Sequence, residues 1–179
     1  MTPSPTLSHL FGSRAIEIQG QLRQAIHLVN PSSGIANDYL NQYNEILLLV
    51  ENLPILLPEM VEELLAWKPR TYEEYFQNSP LVGSHLAIEI YKALDSSFRD
   101  RFEDQVLRIN VHAYRAIAVI ASQHHHGADE MRAEDIEAFC EEIAAKLRAE
   151  IEKAADIVNH GWGQPPETSQ QMADRLMRV

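Results

Sequence analysis

The stretch SFRDRFEDQVLRINVHAYRAIAVIASQ, residues 97–123, decides the fold. At about 3.6 residues per turn, its apolar side chains fall on two nearly opposite faces of one long helix. The first face holds Phe98, Phe102, Val106, Ile109, Ala113 and Ile120, and the second holds Leu107, Val111, Tyr114, Ala118 and Ala121. A helix that is apolar on two faces is central in its domain, or shares one face with a partner chain.

Helical periodicity continues on both sides of this stretch, and no segment alternates with the period of a β-strand. Residues 133–160 carry one apolar stripe and one charged face, so this helix is expected to pack on one side only. Thr71 and Glu74 have the spacing of a capping box, and Ser79-Pro80 is typical of a helix start. Further helices are predicted over residues 11–29, 36–53, 58–67 and 80–94. The fold class is therefore all-α.

The prolines and glycines predict three segments along the chain. Residues 1–7 are expected to form a flexible N-terminal tail. Residues 8–161 are expected to form a single-domain bundle of about four to six main helices around the long central one. Residues 162–179 combine a proline-containing linker with a short C-terminal amphipathic helix.

That C-terminal helix places three apolar side chains on one side, Met172, Leu176 and Val179. An isolated helix of fewer than about 12 residues is marginal in water, so this one has to dock to be stable. Met172, Leu176 and Val179 are therefore predicted to bind a partner or the bundle itself.

Composition limits the classes of function. The 179 residues are 45% hydrophobic and 23% charged, and 15 basic against 26 acidic residues give a net charge of −11. This sign disfavours nucleic-acid binding. The single cysteine, Cys140, leaves no intramolecular disulfide. The start of the chain has no signal-peptide pattern, and no apolar run reaches the roughly 20 residues of a membrane span, so a cytoplasmic protein is predicted.

His85 and Glu89 form one candidate metal site. Their spacing of four residues places them on the same face of a predicted helix. Imidazole and carboxylate are ligands for iron, manganese or zinc. A local hydrogen bond near the helix surface is the competing interpretation. No cofactor is predicted, with a transition metal or haem kept as the alternative.

His112 is a second candidate, as a phosphoacceptor. It lies on the long helix between Arg108 and Arg115, and guanidinium groups pair well with phosphate oxygens. The competing interpretation is a histidine at the edge of the core.

Familiar catalytic signatures are absent from the sequence, including the P-loop, the dinucleotide fingerprint and the nucleophile elbow. This absence favours a non-enzymatic helical interaction or regulatory module that forms a homodimer or binds another protein. Two alternatives stay open: a metal- or haem-binding bundle using His85 and Glu89, and a phosphotransfer bundle using His112.

Overall fold

The computed structural model describes residues 27–53, 58–126 and 133–162 of the chain. Within these ranges there is no strand, and six α-helices form one helical domain, which confirms the all-α prediction. In chain order they are α1 (Asn41–Asn52), α2 (Pro58–Ala66), α3 (Tyr72–Gln77), α4 (Ser84–Lys92), α5 (Ser96–His126) and α6 (Ala133–His160). A short 3₁₀ helix, Asn37–Leu40, leads into α1.

The two longest helices, α5 and α6, form the centre of the domain and run antiparallel. Near the middle of the pair, the Gln105 amide donates to the backbone carbonyl and the carboxylate of Glu150, at 2.9 and 2.8 Å. Ile109 of α5 and Leu147 of α6 are fully buried. The first predicted face of the central helix is therefore its core face.

Helix α1 packs against α6 and closes one side of the core. Tyr43, Ile46 and Val50 are fully buried, and they recur at the three- and four-residue spacing of one helix face. On the outer edge of the contact, Arg148 forms an ion pair with Glu51.

The segment that precedes α1 is held at the C-terminal end of α6. The Asn159 side-chain oxygen accepts hydrogen bonds from Asn30 and Asn37, each at 3.2 Å. Gly161, directly after α6, has φ of +60°, and a Cβ there would come within 2.3 Å of the Ser32 carbonyl oxygen. Glycine is therefore required at this position both by conformation and by space.

The short helices α3 and α4 test two predicted helix starts. The capping box is confirmed: Thr71 accepts from the Glu74 backbone, and the Glu74 carboxylate accepts from the Thr71 backbone. The predicted start at Ser79-Pro80 is wrong, because α4 begins at Ser84. Gly83 takes a left-handed φ of 94° just before it, so the chain turns once more before the helix can form.

Within the described ranges, no helix is long and apolar enough to cross a membrane. The predicted N-terminal tail, most of the helix predicted over residues 11–29 and the C-terminal segment 163–179 lie outside the described residues.

Candidate functional site

The candidate metal ligands His85 and Glu89 lie on the outer surface of α4, and both side chains are exposed. The buried face of this helix is formed instead by Ala87, Ile88 and Tyr91. Among the described residues, no group of three or more histidine, cysteine, aspartate or glutamate side chains is placed to hold a metal ion. His85 and Glu89 thus have the surface position of the competing interpretation.

His112 is half-buried on α5, and its Nδ1 atom is buried without a hydrogen-bond partner among the described residues. The two arginines that suggested a phosphate site are directed toward α6. Arg115 lies 3.9 Å from the Glu142 carboxylate, and Arg108 is close enough to Glu150 to contribute to lowering the pKa of that carboxyl. Both arginines therefore lie near carboxylates of the neighbouring helix. A phosphoacceptor role for His112 stays a prediction.

The second apolar face of α5 is largely uncovered in the described part of the domain. Leu107, Val111 and Tyr114 are 59%, 58% and 52% exposed, and Ala118 is exposed one turn further on. These four residues, called the α5 stripe below, are separated by four, three and four positions. This is the spacing of the seam of a coiled coil.

Two arginines next to the α5 stripe lie along its α6 side. Arg108 and Arg115 each follow a stripe residue, and each is near a glutamate of α6, as described above. Each arginine thus has a carboxylate of its own chain nearby, which it shares with Lys146 or Lys153.

A cleft opens beside the α5 stripe, between this helix and the segment Pro69–Glu73, and Leu107 lines both. Its volume is about 470 Å³. Four aromatic residues are among those that line it, Tyr39, Tyr72, Tyr91 and Phe102, and all four side chains are almost fully buried in the core. The rings of Tyr72 and Tyr91 stack at 4.1 Å between centroids, and Tyr39 and Tyr72 meet at 5.2 Å. We call this the aromatic cleft.

The tyrosine hydroxyls of the aromatic cleft are fixed by hydrogen bonds. Tyr39 donates to the Arg70 carbonyl oxygen at 3.0 Å, and Tyr91 donates to the Glu103 carboxylate at 2.9 Å. The Tyr72 hydroxyl oxygen accepts from the Ala36 backbone N–H at 2.9 Å. Burial raises the pKa of all three tyrosines, and the Glu103 carboxylate raises that of Tyr91 further. The hydroxyls therefore stay protonated and hold the rings in place.

Two acceptor groups from α5 also line the cleft. Glu103 is at its edge, with the side chain 57% exposed. The Asn110 side-chain oxygen is buried and has no hydrogen-bond partner in the described part of the chain. Val106 of the buried face and Leu107 of the α5 stripe lie between them along the helix and also line the cleft.

Periodicity alone did not identify the aromatic cleft. Its residues come from the 3₁₀ helix, α3, α4 and α5, and only the tertiary packing brings them together. The usable signal is the concentration of aromatic residues at the capping box, where Tyr72, Tyr75 and Phe76 occur within five positions, and of these Tyr72 lines the cleft.

Comparison of the chain with protein-family models, curated proteins and solved structures gave no match. Any function is therefore argued from the residues themselves.

Proposed function

We propose that the protein is a non-enzymatic helical interaction module that pairs with a second copy of itself through the α5 stripe. The observation that carries this proposal is the exposure of Leu107, Val111 and Tyr114, each above one half, on one face of the longest helix. Full burial of such side chains contributes roughly 1.5–3 kcal/mol each, so leaving three of them in water is costly. Apolar surface that is contiguous in this way is typical of interaction sites.

The spacing of the α5 stripe favours a helix as the partner. Side chains separated by four and three residues interlock with the same pattern on a facing helix. A second copy supplies that pattern directly, since a two-fold axis brings one patch onto itself.

The charges beside the stripe support pairing of identical chains. With a net charge of −11, two copies repel each other at long range. Close to the stripe, however, Arg108 and Arg115 lie near Glu150 and Glu142 of the same chain. Each arginine at the stripe thus keeps a carboxylate of its own chain nearby when two stripes come together.

Two further features belong to the proposal. The acidic balance of the chain supports partners other than nucleic acid. A cytoplasmic location is kept, supported by a single cysteine, Cys140, that is buried in α6 and so is not presented for disulfide formation.

The test is the mass of the full chain in solution, measured by light scattering after size-exclusion chromatography. The wild type should have twice the chain mass of 20.4 kDa. Val111→Asp should have the mass of one chain, because a carboxylate cannot be buried unpaired at the seam. Leu48→Asp is the matched control, since Leu48 is also 58% exposed but lies on α1. It should remain a dimer.

Two results would contradict self-association through the stripe. One is a dimer that persists in Val111→Asp. The other is a wild type that is monomeric at all concentrations. If the wild type is monomeric and Val111→Asp lowers the melting temperature, the stripe is covered by another part of the same chain.

A further inference from the structure

We propose that the two copies pair in parallel, so that Glu103 of each copy forms an ion pair with Arg108 of the other at the edge of the aromatic cleft. This inference rests on the proposed function, because it specifies how the α5 stripe meets a second copy. It follows from the exposed residues on the two edges of the stripe and from the symmetry of a dimer.

The heptad positions of α5 agree with the burial of its side chains. The α5 stripe takes the seam positions of the heptad abcdefg, with position d at Leu107 and Tyr114 and position a at Val111 and Ala118. Positions b, c and f then fall on the opposite side of the helix. The residues there that are buried in the domain are Gln105, Val106, Ile109, Ala113 and Ala116.

The two edges of the seam carry different charges. Position e, on the α6 side, is an exposed arginine in three consecutive heptads, at Arg101, Arg108 and Arg115. Position g lies on the side of the aromatic cleft, where Glu103 and Asn110 are among its lining residues. One edge is therefore basic, and the other offers a carboxylate and an amide.

These charges favour the parallel orientation. In a parallel pair the two-fold axis runs along the helices, so each e edge meets the g edge of the other copy. In an antiparallel pair the axis is perpendicular to the helices, so each e edge meets the other e edge and arginines face arginines. Only the parallel pair avoids that repulsion.

Glu103 and Arg108 are the residues that a parallel pair brings together, because a g residue faces the e residue five positions further along the partner helix. The Glu103 side chain is 57% exposed, and within the described ranges its ion pair is a long one of 3.9 Å with Arg99. Arg108 is exposed and forms no ion pair with the residues that the structure describes, and Glu150 beside it is bound by Lys153 at 2.7 Å. Both side chains are thus accessible and able to pair across the dimer, twice by symmetry.

Asp104 marks the place where the contact between the copies begins. It is exposed and takes seam position a, one turn before Leu107. In a parallel pair the two Asp104 carboxylates face each other, and like charges oppose close approach there. The contact is therefore expected to run from Leu107 to Ala118.

Arg108→Glu is the decisive variant, and the measurement is the dissociation constant of the full-chain dimer by analytical ultracentrifugation. In a parallel pair the new carboxylate faces Glu103 of the other copy, so the constant should rise about tenfold. In an antiparallel pair an arginine–arginine contact would be lost and the constant would fall. Adding Glu103→Arg to Arg108→Glu should restore the wild-type constant to within about threefold.

Arg101→Glu is the matched control. It makes the same change of charge on the same exposed edge, one heptad earlier. Its facing g residue in the second copy is Ser96, so the dissociation constant should change by less than about threefold.

Disulfide cross-linking tests the orientation without a change of charge. In a parallel pair each seam residue faces its own counterpart, so Leu107→Cys and Tyr114→Cys should each give covalent dimers with oxidised glutathione, visible on a non-reducing gel. In an antiparallel pair only a residue at the two-fold axis meets its counterpart. Since the two positions are about 10.5 Å apart along the helix, at most one variant would then cross-link. The wild type is the control, because Cys140 is buried and burial raises the pKa of its thiol to about 11.

Two results would overturn parallel pairing. One is a dissociation constant of Arg108→Glu that falls, or that equals that of Arg101→Glu. The other is a dimer in which fewer than two of the cysteine variants cross-link. A wild type that is monomeric at all concentrations contradicts the proposed function itself, so the two failures are distinguishable.

Discussion

The two faces of α5 are both apolar but have opposite environments. Ile109 and Ala113 on the first face are fully buried against the rest of the domain, whereas Leu107 and Val111 on the second are more than half exposed. The helix is therefore a core element and a surface element at once. Apolar periodicity identifies the helix faces that can be buried. The packing of neighbouring elements determines which of these faces is buried in the domain.

The largest difference between the faces should appear on truncation. Ile109→Ala should lower the free energy of unfolding by about 2–5 kcal/mol, because it leaves a cavity in the core. Val111→Ala should change it by less than about 0.5 kcal/mol, as for other surface positions. Urea denaturation at a dilution where the chain is monomeric measures both.

If Val111→Ala costs as much as Ile109→Ala under those conditions, the α5 stripe is buried within a single chain. That result would contradict both the contrast between a buried and an exposed face of α5 and the proposed dimer.

The same contrast explains how far the sequence could predict the fold. The bounds of α6, 133–160, agree with its predicted range because one apolar stripe and a clear Ala-Glu-Asp start leave little choice. The capping box was predictable because it is local, formed by Thr71 and Glu74 alone. The start of α4 could not be predicted in the same way. Ser79-Pro80 and Gly83 are both typical of helix boundaries, and the helix begins after Gly83.

Sites proved harder to predict than helices. His85, Glu89 and His112 were singled out by residue type, but residue type does not say which side of a helix is covered. The aromatic cleft is lined by residues that are far apart in sequence, such as Tyr39 and Glu103, which are separated by 64 positions. Hydrophobic periodicity does not predict such a tertiary arrangement.

A smaller difference is expected between a buried and an exposed polar contact of α5 with α6. Gln105 is buried and bonds to Glu150, whereas Arg115 is 51% exposed and only 3.9 Å from Glu142. Gln105→Ala should lower the free energy of unfolding by about 1 kcal/mol. Arg115→Ala should change it by roughly 0–0.5 kcal/mol, because water screens an exposed ion pair. If both variants lose the same free energy of unfolding in thermal denaturation, burial does not determine how strongly these contacts stabilise the fold.

The smallest expected effect is the pH dependence of the Gln105 contact. The Lys153 ammonium, and then the Gln105 amide, lower the pKa of Glu150 below its ordinary 4.5. A carboxyl with a lowered folded-state pKa contributes stability above the unfolded value, and this contribution is lost as pH falls through the folded value. Removing the amide brings the folded pKa of Glu150 closer to 4.5. The stability gap between wild type and Gln105→Ala should therefore be largest near neutral pH and smaller at about pH 3, as measured by urea midpoints. A gap that does not change with pH would assign the whole effect to the uncharged bond from Gln105 to the Glu150 backbone carbonyl, at 2.9 Å.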